Sequence, residues 1–228
     1  MSVTHLLVHG AWHGPGCWDR VVGELRGREV RTVELPSVGG DAAVGLDDDA
    51  RVVRDAVAGI DGPVIVTAHS YGGVVASRAL AGLANAAHVL YLCAFVLDTE
   101  DSLVSAAGGA PLPWWLMRED GLIDPKDPVE VFYHDLPDAL AASSVADLRP
   151  QSYRSFQDRQ AETAWRTIPS TYLVATEDHA IPAEAQRQMA ARCGRKFELA
   201  SSHSPFLSHP DYVASLLREI DGDVDRAS

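Results

Sequence analysis

Basic charge is scarce in this chain. Nineteen lysines and arginines stand against 32 aspartates and glutamates, a formal net charge of −13 with histidine neutral, and lysine occurs only at Lys126 and Lys196. A surface of that sign does not hold a phosphate backbone, so nucleic acid is excluded as a partner and the charge serves solubility. Cysteine is scarce too. Cys17, Cys93 and Cys193 are odd in number and far apart, without the paired spacing of a metal site or a disulfide framework. They read as reduced, largely buried thiols of a cytoplasmic protein. No apolar run approaches the roughly eighteen residues that span a bilayer. The opening Met1-Ser2-Val3-Thr4-His5-Leu6-Leu7-Val8 lacks the basic region and cleavage site of a signal peptide and reads as a first strand. No membrane contact is expected. There is no glycine-rich phosphate loop, internal repeat, low-complexity linker or metal-ligand cluster, so neither cofactor nor metal is expected.

What remains is a globular chain of 228 residues, 46% hydrophobic, long enough for one sizeable core. Strand-like runs at Thr4–His9, Val30–Leu35, Val64–Ala68, His88–Ala94, Thr171–Thr176 and Lys196–Leu199 alternate with helical patterns. The helical patterns cover Trp18–Arg26, Asp47–Ile60, Gly72–Leu83, Pro182–Arg192 and Pro210–Ile220. Several strands are apolar throughout, as in parallel strands covered on both faces, and the alternation predicts a doubly wound, mostly parallel α/β sheet of about six strands. Between about Leu97 and Ile168 the alternation stops. That stretch is rich in proline and aromatics, carries short helical patterns and offers no convincing strand. It reads as a small, mainly helical cap (97–168) inserted into a core (1–96 and 169–228), lying over the strands' C-terminal edge, where such sheets bind ligands. Most of its aromatics are expected to form the cap's own core.

The most informative segment is Val64-Ile65-Val66-Thr67-Ala68-His69-Ser70-Tyr71-Gly72-Gly73. A β-branched strand meets a serine flanked by small residues and runs straight into a helix, the layout of a nucleophile elbow. Small neighbours at Ala68 and Gly72 permit the tight turn, although glycine is usual where Ala68 stands. A serine hydroxyl needs a base to take its proton and an acid to orient that base. Downstream, one strand ends in Glu177-Asp178-His179-Ala180-Ile181-Pro182, and the last runs into His203-Ser204-Pro205-Phe206. Acid and base candidates therefore lie in loops on the same sheet edge as Ser70.

With the opening Leu7-Val8-His9-Gly10-Ala11-Trp12-His13-Gly14, these motifs make the chain resemble a compact α/β-hydrolase group. That group includes plant methylesterases, hydroxynitrile lyases and bacterial pyrethroid-type carboxylesterases. The resemblance covers nearly the whole chain and implies an α/β-hydrolase fold with Ser70 as nucleophile and His203 as base. Asp178, four residues before Pro182, falls on the acid in preference to Glu177. His209 precedes a helix, where capping accounts for it. The resemblance also implies an oxyanion hole made by the N–H groups of Ala11 and Tyr71, with His9 and His13 fixing the first loop. Gly10, Trp12, Trp114, Trp115, Phe132 and Tyr133 are expected to contact substrate. Because Trp114 and Trp115 are adjacent, one is expected to face Ser70 and the other to pack into the cap.

The implied activity is hydrolysis of a small or medium-sized, fairly apolar ester through an acyl-enzyme, by a monomer or homodimer. The alternatives are a thioesterase or lactonase, a carbon–carbon lyase of retro-aldol type, and a small-molecule receptor. Hydroxynitrile lyases of this group carry threonine where this chain has Gly10 and lysine where it has Ser204, so cyanohydrin cleavage is not expected. Relatives with aspartate at the elbow, such as epoxide hydrolases, are excluded by Ser70.

Overall fold

Apolar strands and amphipathic helices alternate because each strand must be covered on both faces. The computed structural model describes residues 3–227. In chain order they form β1 (Thr4–Val8), α1 (Asp19–Glu24), β2 (Glu29–Val33), α2 (Leu46–Ala58), β3 (Val64–His69), α3 (Gly72–Ala79) and β4 (Ala86–Leu92). There follow α4 (Leu103–Ala106), β5 (Trp115–Met117), β6 (Leu122–Pro125), α5 (Asp138–Ala146), β7 (Gln151–Ser152) and α6 (Arg154–Gln157). The chain then closes with β8 (Ser170–Ala175), α7 (Ala183–Ala190), β9 (Arg195–Leu199), α8 (Pro205–Ser208) and α9 (Pro210–Ala227).

Six strands form one parallel sheet in the order β2-β1-β3-β4-β8-β9. Every residue of β1, β3 and β8 is buried, while edge strand β9 alternates and carries Arg195, Lys196 and Glu198. Charge on an edge strand discourages further pairing. Chain order reverses between β1 and β3, so the loops leaving those neighbours diverge and open a crevice at their C-terminal ends. Val8 pairs with Ala68, and Ala175 with Leu199. The loops carrying Ala11, Ser70, Asp178 and His203 therefore all leave the same edge.

The six expected strands are present, each within two residues of its expected ends. Helix α3 stops at Ala79, four residues short of the expected Leu83, where the chain turns through Gly82 at φ 75°, and two further features differ from expectation. Helix α9 runs on to Ala227, beyond Ile220, because its extension is anchored: Val224 is buried, and buried Asp221 lies 2.9 Å from His5 Nε2 and 3.3 Å from Arg28. The stretch from 97 to 168 is not free of strands. It holds a three-stranded antiparallel sheet, β5-β6-β7, beside its short helices and a π-helical turn at Val129–Tyr133. These strands are three, four and two residues long. That is too short for a period of two to show in the sequence. Pairing across the chain makes them strands. Ser152 N–H donates to Ser37 O at 2.8 Å and Gly39 N–H to Pro150 O at 2.9 Å, tying β7 to the loop after β2.

Helix α3 begins against the end of β1. A Cβ on Gly72 would lie 2.6 Å from His9 O and 3.0 Å from Val8 O, both backbone atoms that cannot rotate away. A Cβ on Gly23, in α1, would meet nothing within 4 Å. Gly72→Ala is expected to destabilise by about 1–3 kcal/mol, whereas Gly23→Ala should be neutral or stabilise by up to about 1 kcal/mol. Urea denaturation of the two variants checks the contrast.

Candidate active site

Ser70 directly follows β3 and sits in the left-handed region, φ 52°. For a residue with a Cβ this conformation costs on the order of 1–2 kcal/mol. The turn is held by Ser70 N–H to Leu92 O (3.3 Å) and by Gly73 N–H and Phe95 N–H to Ser70 O (3.0 and 3.1 Å). Helix α3, buried from Gly72 to Ser77, secures it from below. Across the turn lies Gly10. A Cβ there would stand 2.7 Å from His69 Nδ1 and 2.9 Å from Ser70 Cβ. Glycine is thus required for the loop after β1 to reach the serine.

His203, in the loop after β9, is buried and bonds through Nδ1 to Asp178 Oδ2 at 2.6 Å. Asp178 Oδ1 accepts the N–H groups of Ala180 (2.7 Å) and Ile181 (2.8 Å), and its Oδ2 also accepts Gln186 Nε2 at 2.8 Å. Every neighbour donates to this carboxylate, so His203 carries its proton on Nδ1 and Nε2 is its remaining nitrogen. Ser70 and His203 line one cavity. Glu177, the other acid considered, is exposed, and His209 bonds to Ser208 Oγ, so neither enters the cluster. Sequence reasoning missed Gln186, whose side chain also accepts Ala175 N–H and donates to Ile181 O. Its only signal was a polar residue on the buried face of α7 with Met189 and Ala190. Among the described residues His69, Cys93 and His203 bring ligand-type atoms within 4.8 Å. The His69 Nε2–H and the Cys93 thiol, however, both donate to the His203 carbonyl and so buttress its loop.

The loop after β1 is locked by two neutral imidazoles. Leu35 N–H donates to His9 Nε2, so His9 donates from Nδ1 to Gly10 O at 2.8 Å. Tyr133 OH donates to His13 Nε2, so His13 donates from Nδ1 to Ala11 O at 2.7 Å. Burial lowers the pKa of His9 to about 4 and of His13 to about 3, because neither site can solvate a cation. Trp12 sits at φ 63° and is held by N–H to Gln151 Oε1 (3.3 Å) and Nε1–H to Ile123 O (2.9 Å). The N–H groups of Ala11 and Tyr71 have no acceptor among the described residues, and both residues line the same cavity.

That cavity is walled by Trp12, Trp114, Trp115, Phe132 and, unforeseen from sequence, Phe95, Leu103, Leu112, Phe156, Ala180 and Ile181. Among the described residues no Asp, Glu, Lys or Arg lines it. The aromatics pack edge to face: Trp12 on Phe156 at 5.5 Å and 88°, Trp114 on Trp115 at 5.9 Å and 87°. Both tryptophans therefore line the cavity, against the expectation that they would diverge. Trp114 precedes β5, so strand alternation does not separate it from Trp115, the strand's first residue. Tyr133 and Gly10 do not line the cavity. Tyr133 lies behind His13 and faces a second groove, and Gly10 lies beneath the serine.

Residues 6–216 match the family described as the alpha/beta hydrolase family, and the chain belongs to it. The alpha/beta hydrolase nvfD of Aspergillus novofumigatus is 27% identical over 96% of both chains. The pyrethroid hydrolase of Sphingobium wenxiniae is 28% identical over 96% of this chain and 88% of its own. A structure of tomato methylketone synthase I, complexed with 2-tridecanone, superposes with a TM-score of 0.86 at 22% identity, over 98% of this chain and 99% of that one, a likeness of fold.

The buried histidines set a direction for acid stability. Unfolded, His9 and His13 take up protons near pH 6.5, whereas folded they stay neutral to about pH 4 and 3. The unfolded chain thus binds more protons below pH 6.5, and stability falls as pH drops. At about 1.4 kcal/mol per pKa unit, His9 alone contributes about 3 kcal/mol by pH 4. Asp49, raised by burial to about 6, works with opposite sign between about pH 4 and 6. It is outweighed, because His88 is lowered to about 4 and His69 is lowered as well. Melting temperature should therefore fall from pH 7.5 to 5, and His13→Gln should flatten that slope in thermal melts.

Proposed function

We propose that this member of the alpha/beta hydrolase family is a serine esterase that cleaves small or medium-sized, apolar, uncharged carboxylic esters through an acyl-enzyme. The observation that carries the reading is the 2.6 Å bond from His203 Nδ1 to Asp178, which leaves Nε2 as the free nitrogen in the cavity that holds Ser70. In the proposed cycle His203 Nε2 takes the Ser70 proton as Oγ attacks the ester carbonyl. Asp178 holds the imidazole in the required tautomer and stabilises the imidazolium. The N–H groups of Ala11 and Tyr71, preorganised and without acceptors of their own, receive the charge that develops on the carbonyl oxygen. His203 then gives its proton to the leaving alkoxide as the carbon–oxygen bond breaks. Water, deprotonated by the same nitrogen, releases the acid and restores Ser70.

Relatives named pyrethroid hydrolase, methylesterase and carbendazim hydrolyzing esterase support the ester as the bond cleaved. Space argues against the cyanohydrin lyase. Gly10 cannot be enlarged toward threonine without displacing His69 or Ser70, and Ser204 stands where the lyase lysine would. The apolar walls favour neutral acyl and alcohol groups, since a charged group would be desolvated there without a counter-ion.

A fluorophosphonate probe should add once per chain, on Ser70, and Ser70→Ala should lose on the order of 10³-fold or more in turnover. Asp178→Asn, which permits the wrong imidazole tautomer, should lower kcat steeply, while Glu177→Gln should change it little. Labelling elsewhere, or the reverse ranking of the two acids, would overturn the assignment. A second expectation concerns charge. A substrate bearing a free carboxylate on its acyl group should show kcat/KM at least about 10-fold below its neutral methyl ester, measured in parallel hydrolysis assays.

A further inference from the structure

Helix α2 opens with three acidic residues, Asp47, Asp48 and Asp49, as suits the positive end of a helix dipole. Two of them explain themselves. Asp47 pairs with Arg78 at the surface, and Asp48 caps Gly45 N–H at 3.0 Å and pairs with Arg51. Asp49 turns inward and is completely buried, and no cation bonds to it. A carboxylate in that position is costly unless hydrogen bonds replace its water. It has three. Ser37 N–H reaches Oδ1 at 2.9 Å, while Ser37 Oγ and Tyr71 OH both reach Oδ2 at 2.6 Å.

The chain of bonds does not stop there. Ser37 Oγ, having donated to Asp49, accepts Gln151 Nε2 at 2.7 Å. The second hydrogen of that amide goes to Ser155 Oγ, also at 2.7 Å. Gln151 Oε1 is thereby turned toward the loop after β1, where it accepts the N–H of Trp12 at 3.3 Å. One buried carboxylate is thus bonded on one side to Tyr71, the residue after Ser70. On the other it is linked through Ser37 and Gln151 to Trp12, the residue after Ala11.

We propose that Asp49 is a positioning residue: it holds in register the two loops whose Tyr71 and Ala11 N–H groups flank the reacting carbonyl. What is positioned rests on the esterase reading above. Those N–H groups lie in loops that follow different strands, β3 and β1, so no single turn fixes their separation, and the network is a bridge between them. Its polarity is one-sided. Ionised, the carboxylate accepts all three bonds; once protonated on Oδ2 it must donate one of them, and the Ser37 or Tyr71 hydroxyl that shares that bond has to turn round and accept. Groups facing it are Asp48 on its own helix, Tyr71 from the turn after β3, Ser37 from the loop after β2, and Gln151 and Ser155 from the 97–168 stretch. None is a cation. Burial raises its pKa to about 6, so the reversal sets in just below neutrality.

Asp49→Asn keeps the shape and removes the charge, and Ser37→Ala cuts the link to Gln151 while leaving Asp49 on Tyr71. Both are compared with wild type for kcat and KM on a neutral ester, for inhibition by an arylboronic acid that forms a tetrahedral adduct on Ser70, and for kcat between pH 5.5 and 8. Expected are a fall in kcat of about 10- to 100-fold, a parallel loss of boronate affinity, and KM within about threefold. The loss of wild-type kcat on acidification should be shallower in Asp49→Asn, which has no carboxylate to titrate. Wild-type kcat and boronate affinity in folded Asp49→Asn would overturn the role, as would an effect confined to KM or to melting temperature. Should Asp49→Asn fail to fold, Ser37→Ala decides by the same criteria. A wild type without Ser70-dependent ester hydrolysis overturns the esterase reading and this role with it. Wild-type hydrolysis with unaffected variants overturns this role alone.

Discussion

A serine forced to φ 52° at the end of a fully buried strand is the constraint from which the rest of the site follows. The turn brings α3 under the serine and against the backbone of β1, with room for nothing larger than glycine at positions 10 and 72. Close approach of the two loops places Ala11 and Tyr71, whose N–H groups have no acceptor among the described residues, on the same cavity as Ser70. Backbone strain at such a position persists only where the surroundings over-determine it. Here a buried helix, three backbone hydrogen bonds and two strand ends do so.

Around that turn, two carboxylates and two imidazoles are held by several hydrogen bonds each. Asp178 accepts from four donors and Asp49 from three, which leaves each carboxylate no alternative geometry. His9 and His13 each donate at Nδ1 and accept at Nε2, and burial keeps them neutral. In a low-dielectric interior such fully satisfied networks rigidify, whereas a half-satisfied one would be costly. The cavity itself is the opposite kind of surface, aromatic and without formal charge apart from what His203 can acquire. In the proposed cycle, charge developing there would meet the fixed dipoles of backbone N–H groups.

Much of this was legible in the sequence. The β-branched run into Ser70, and the loops holding Asp178 and His203, followed from apolar periodicity and strand-end position, because a parallel sheet sends all its C-terminal ends to one edge. The short cap strands were not legible. Leu122–Pro125 contains an aspartate and a proline, and it is a strand only because β5 and β7 pair with it. Asp49 had one signal that went unread: it shares the apolar face of its helix with Leu46, Val53 and Val57, whereas Asp47 and Asp48 do not.

The sequence by itself determined the fold, the order of serine, acid and base, and the sheet edge where they gather, since each depends on local pattern and chain order. Only the tertiary structure decided that both Trp114 and Trp115 wall the cavity, that Gln186 bonds to Asp178, and that Asp49 and Gln151 link the loops beside it. Those outcomes depend on side chains brought together over long stretches of chain, such as the 139 residues between Trp12 and Gln151. Hydrogen bonds at that separation leave no trace in local periodicity.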